Sequence, residues 1–118
     1  MLFRSPCHLA ENSFARAAYK KEIISERHRH RYEFNREFEN TLVAHGLRLT
    51  GQTPDGLYVE ICEIADHPWF LGCQFHPEFK SKPLEPHPLF VDFIGASYKE
   101  RRKRTGNLFE PEQLTHVE

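Results

Sequence analysis

No stretch of this sequence approaches the roughly 20 consecutive apolar residues that cross a bilayer. Its first residues, Met1 to Pro6, hold no long apolar core followed by a small-residue cleavage site. A chain that is neither exported nor anchored is expected, with no membrane partner. Net charge is nearly absent too: 16 Lys and Arg stand against 17 Asp and Glu, a formal balance of -1, so no global field gathers nucleic acid. Cysteine is scarce. Cys7, Cys62 and Cys73 are odd in number and lack framework spacing, which argues against a disulfide scaffold and for a reduced, cytoplasmic protein. There is no internal repeat.

What the sequence does hold is aromatic mass. Ten Phe among 118 residues supply the large apolar side chains that a disordered polar chain lacks, and the length suits one domain. We expect a folded unit over residues 1–104 and a mobile tail over 105–118, where Gly, Pro and scattered charge show little period. Residues 1–12 have no clear period and read as a ragged edge. Ser13 to Lys21 suits a short helix, and Glu22 to Phe34 an extended surface or cleft segment, its polar residues too dense for a buried strand. Asn35 reads as the N-cap of a helix over about 36–45 that stops at Gly46. Leu47–Gly51 and Leu57–Ile64 flank the turn residues Thr53-Pro54-Asp55-Gly56, which predicts a hairpin. Trp69–Phe75 is a further apolar strand. Leu89, Phe90, Phe93, Ile94 and Ser97 repeat at the spacing of one helical face, giving a packed closing helix to about Arg102.

Chemistry concentrates where that last strand ends. His76 and Glu78 lie two positions apart, so in extended backbone their side chains share a face, and Pro77 biases His76 itself toward extended conformation. A carboxylate beside an imidazole fixes its tautomer and supports the cation formed after proton abstraction, as in acyl-transfer triads. On three residues alone, turn punctuation is the better reading. A second polar run, Glu26-Arg27-His28-Arg29-His30-Arg31-Tyr32-Glu33-Phe34-Asn35, reads on its own as a solvated basic strand face. With Glu26 and Glu33 flanking it and only Tyr32 and Phe34 interleaved, it is a poor nucleic-acid surface.

Together these segments carry a resemblance. Cys73-Gln74-Phe75-His76-Pro77-Glu78-Phe79 resembles the catalytic motif of class I glutamine amidotransferases, which hydrolyse glutamine through a Cys-His-Glu triad. The run from Glu26 to Asn35 resembles a signature of the CTP synthase family, as do His67-Pro68-Trp69-Phe70 and His87-Pro88-Leu89-Phe90. The resemblance covers about residues 1–100 and points to the C-terminal part of an amidotransferase domain. It implies an α/β fold, a part of a three-layer, flavodoxin-like domain. It also implies that His76 is the triad base, Glu78 its orienting carboxylate, and Arg31 the guanidinium that holds the substrate α-carboxylate by two parallel hydrogen bonds.

The family pattern is incomplete in this chain. No Gly-x-Cys-x-Gly elbow is present, so the nucleophile is expected from elsewhere. Cys73, three positions from His76 along a strand, faces the opposite side and reads as a core thiol, and Cys62 and Cys7 are likewise assigned no chemistry. A zinc site from Cys62, Cys73 and His76 lacks paired Cys spacing, so no metal and no cofactor are expected in this chain. The resemblance implies that a full enzyme passes ammonia from glutamine to a synthetase domain. There ATP with Mg2+ activates UTP for amination to CTP, GTP acts as activator, and the enzyme is a homo-tetramer. The isolated chain is expected to be inactive, its missing N-terminal portion leaving apolar sheet surface uncovered. The competing expectation is a non-catalytic amidotransferase remnant or binding module.

Overall fold

The computed structural model describes residues 3–105, with side chains described from Ser5 onward. The first strand, β1 (Phe3–Leu9), occupies the stretch expected to be ragged. Its period is two: Cys7 and Leu9 are fully buried while Pro6 and His8 face solvent. Pro6 fits because β1 pairs with its second neighbour only through His8 and Leu9, leaving the proline on an unpaired edge. A short helix, α1 (Phe14–Tyr19), follows as expected. The Ser13 hydroxyl caps it by accepting from Arg16 N, and Lys20 closes it at φ 60. Strand β2 (Ile23–His28) then pairs antiparallel with β1, Cys7 opposite Ile24.

The expected helix over 36–45 divides in two. Asn35 Oδ1 does accept from Glu37 N at 3.0 Å, but it caps a single 3-10 turn (Arg36–Phe38), after which α2 runs only over Glu39–Ala44. Gly46 at φ +106 releases the chain into the hairpin of β3 (Leu47–Gln52) and β4 (Val59–Ile64). The expected turn chemistry holds: Asp55 Oδ1 accepts from Thr53 Oγ1 at 2.6 Å and from Leu57 N at 3.0 Å. The hairpin register slips around Gly51, where an added Cβ would meet Ile61 at 2.7 Å. Strand β5 is shorter than expected, Leu71–Cys73.

Sheet order is β2-β1-β3-β4-β5, and every ladder among the described residues is antiparallel. A bridge between His28 and Phe75 joins the two ends, so the sheet curls until β2 meets the chain leaving β5. Inside the curl and beneath α1, Cys7, Leu9, Ala15, Ala18, Ile24, Ile61, Phe75 and Leu89 form the core, with Tyr19, Trp69, Leu71 and Cys73 packed against it.

The closing helix α3 (Pro88–Thr105) differs from its expected packed face. Only Leu89 is buried. Phe90, Phe93 and Ile94 are 38%, 48% and 62% exposed, because the described residues offer that face little beyond α1 and Trp69. The helix passes the expected stop near Arg102, and the expected tail beyond Thr105 lies outside the described residues.

Candidate active site

The turn after β5 is stitched to the end of β2. Phe75 bridges His28, and His76 N donates to the Arg27 carbonyl at 2.9 Å. Pro77 then opens a 3-10 turn, Pro77–Phe79, closed by Phe79 N donating to His76 O at 3.2 Å. This turn, rather than the extended backbone expected from spacing, folds Glu78 back beside His76. Their side chains meet at 2.8 Å, Nδ1 to Oε2.

The carboxylate can only accept, so the proton sits on Nδ1, and Nε2 carries the lone pair. Phe79 stacks on the imidazole, centroids 4.8 Å apart and planes 18° from parallel, which fixes the ring in the plane that Glu78 defines. The hydrogen bond from His76 holds the Glu78 carboxyl below the usual carboxylate range. At 34% and 54% side-chain exposure, the two groups stand at an open surface. A cleft of about 700 Å³ beside the turn is lined by Ser25, Arg27, Phe79, Lys80, Lys82 and His87 among others, but not by His76 or Glu78.

Arg31 lies on an exposed bend just past β2. It is three residues beyond His28, hence on the segment that continues from the strand to which the His76 turn is bonded. The cysteines behave as packing residues. Burial pushes the thiols of Cys7 and Cys73 up to about 12, and Cys62 is raised for the same reason. The Cys73 sulfur is turned to the Phe75 carbonyl at 3.6 Å and packs against the core.

Two buried polar groups escaped the sequence reading, since β2 was not expected to be buried. Along it Ile24, Glu26 and His28 all point inward. Glu26 accepts from Tyr19 Oη at 2.5 Å and meets His87 Nε2 at 2.6 Å, with Lys80 Nζ 3.7 Å away. Burial alone would raise its carboxyl, but the hydrogen bonds from His87 and Tyr19 outweigh that and lower it. His28 Nδ1 lies 2.9 Å from Glu60 Oε2 and 3.1 Å from His30 Nε2. The alternation of Ile24, Glu26 and His28 was the available signal, masked by the assumption that charged residues face water. A third buried acid, Glu63, accepts from Phe14 N, Ala15 N and Thr50 Oγ1 at 2.7, 2.9 and 2.8 Å, tying the start of α1 to the hairpin.

The chain is similar in sequence and fold to known proteins. The sequence profile of the family described as glutamine amidotransferase class-I matches residues 3–96. A CTP synthase of Syntrophus aciditrophicus (strain SB) is 64% identical over 99 residues, covering 84% of this chain and 18% of the relative. A CTP synthase of Acidobacterium capsulatum is 65% identical over the same length, with the same coverage. The glutaminase domain of Trypanosoma brucei CTPS, solved with bound acivicin, superposes with a TM-score of 0.78. It is 36% identical, over 83% of this chain and 39% of that one. The fold is thus α/β, a curled five-stranded part of a flavodoxin-like amidotransferase domain. The chain spans about a fifth of the length of the curated relatives it matches, 18% in both cases.

Proposed function

The chain belongs to the class I glutamine amidotransferase family, and from that premise we propose that it is the C-terminal part of the glutaminase domain of a CTP synthase. The observation that carries the reading is the 2.8 Å contact between His76 Nδ1 and Glu78 Oε2. It leaves Nε2 as the base. In that role Nε2 takes the proton of a cysteine thiol, and the thiolate attacks the side-chain amide carbon of glutamine. Glu78 stabilises the imidazolium so formed. The same proton passes to the departing amine as the C–N bond breaks, releasing ammonia. His76 then draws a proton from water as the thioester is hydrolysed to glutamate.

None of this chain's thiols suits the attack, since burial raises all three. The nucleophile is supplied by another segment of the amidotransferase domain. That segment also walls in the pair, whose exposure here is too great for efficient proton transfer in a water-excluding site. Arg31 binds the α-carboxylate of glutamine, its segment continuing from the strand bonded to the catalytic turn. In the whole enzyme the ammonia aminates UTP in an ATP- and Mg2+-dependent synthetase domain activated by GTP, in a cytoplasmic homo-tetramer. Those features rest on the kinship with CTP synthases.

A chimera tests this reading. This chain replaces the matching 18% of the Syntrophus aciditrophicus CTP synthase. We expect glutamine-dependent CTP formation within about tenfold of the parent, a barrier change of about 1.4 kcal/mol. A chimera that folds and uses added ammonia at the parental rate, yet cannot use glutamine, would contradict the reading.

A further inference from the structure

Behind the His76 turn, three side chains from separate parts of the chain converge. His28 ends β2, His30 follows it two residues on, and Glu60 reaches in from β4. One ligand-type atom from each lies within 4.8 Å of the other two. Two of those separations are 2.9 Å, His28 Nδ1 to Glu60 Oε2, and 3.1 Å, His28 Nδ1 to His30 Nε2. Around tetrahedral zinc with bonds of about 2.0–2.2 Å, donor atoms stand roughly 3.3–3.5 Å apart. Opening the two short contacts by a few tenths of an ångström therefore admits the ion. Side-chain exposure is 0% for His28, 4% for Glu60 and 14% for His30, so the point of convergence is shielded yet reachable from the His30 side.

The hydrogen bonding favours donors over a closed ion pair. His30 Nδ1 faces the Tyr32 carbonyl at 3.1 Å, and Glu33 Oε1 lies 3.6 Å from the same nitrogen. Both partners only accept, so Nδ1 carries the proton and the Nε2 lone pair is aimed at the cluster. A metal-bound imidazole commonly has this outer-shell arrangement. Glu60 Oε2 is buried and, despite its 2.9 Å approach to His28, has no aligned hydrogen-bond donor.

We propose that His28, His30 and Glu60 form a binding site for a divalent transition ion, zinc by its donor set, with a fourth position open to water. Two imidazoles and one carboxylate suit zinc better than the all-oxygen ions. This departs from the metal-free chain expected from sequence, where only Cys-rich spacing was weighed. A bound ion links the ends of the curled sheet, since Gln74 N donates to the Glu60 carbonyl at 2.9 Å and Phe75 bridges His28. It thereby clamps the bend carrying Arg31. The inference stands apart from the glutaminase reading, because it concerns binding alone.

The test is competition for Zn2+ between the purified chain and a chromophoric chelator, with folding followed by circular dichroism. We expect one Zn2+ per chain at micromolar or tighter affinity, weakened about 10²-fold by Glu60→Gln and by His30→Gln. His45→Gln, on the exposed end of α2, should leave affinity unchanged. If Glu60→Gln unfolds the chain, His30→Gln decides, since that side chain is partly exposed. No stoichiometric binding, or equal affinity in His30→Gln and His45→Gln, overturns the proposal.

Discussion

At His76 the proton inventory decides the chemistry. With Nδ1–H committed to Glu78 at 2.8 Å, the lone pair is on Nε2, and any substitution that frees Nδ1 also frees the tautomer. The Glu78 carboxyl, lowered by its hydrogen bond from His76, gives a signed expectation. Its favourable interaction is present above the unfolded carboxyl value of about 4.3 and is lost as pH falls through the lower folded value. NMR titration of the Glu78 carboxyl should therefore show a midpoint below that of a free glutamate, returning to the ordinary range in His76→Ala. An unchanged midpoint would separate the two groups in solution. Arg31, exposed on its bend, should act on binding rather than on the proton transfer. In the reconstituted enzyme, Arg31→Ala is expected to raise the glutamine KM about 10-fold or more with a smaller change in kcat. An unchanged KM would remove it from the substrate site.

At the scale of elements, the site stands on buried polar pairs as much as on apolar packing. Glu26 on β2 holds Tyr19 of α1 and His87 at the start of α3, so one carboxylate joins three elements. Its folded pKa is lowered, so this contribution is present above the unfolded carboxyl value and disappears as pH falls through the folded one. Tyr19→Phe should cost about 1–3 kcal/mol in urea denaturation at neutral pH, with a smaller loss below pH 4. An equal loss at both pH values would mean that the hydroxyl acts through something other than the carboxylate. This network also explains what the sequence hid. The hairpin, the Asn35 and Gly46 caps and the short helix α1 were legible because each rests on local turn or cap chemistry. Strand β1 was missed although Cys7 and Leu9 alternate with Pro6 and His8, because a proline and a histidine made the period look broken. The burial of Glu26, His28, Glu60 and Glu63 was invisible because each lies against residues far away in the chain, Glu26 against His87, His28 against Glu60, and Glu63 against Phe14, Ala15 and Thr50. Likewise His76 and Glu78 were paired correctly for the wrong local reason. A 3-10 turn after Pro77, not an extended strand, brings them together.

At the scale of the whole molecule, the exposed faces describe what the fold leaves for other segments. Phe90, Val91, Phe93, Ile94 and Tyr98 on α3 remain largely exposed, as do Leu42 and Val43 on α2. The isolated chain should therefore self-associate, and Ile94→Glu should shift sedimentation toward monomer. A wild-type chain that stays monomeric at high concentration would mean that these side chains tolerate water. The Leu89 side chain, the one buried member of that helix, anchors it to the core. The same partial architecture leaves the His76–Glu78 pair at an open surface. The role proposed for His76 requires that it serve glutamine alone. In the assembled CTP synthase carrying this chain, His76→Ala should lower glutamine-driven CTP formation by about 10²–10⁴-fold while CTP formation from added ammonia stays at the parental rate. Equal loss of both activities, or glutamine use that survives the substitution, would contradict it.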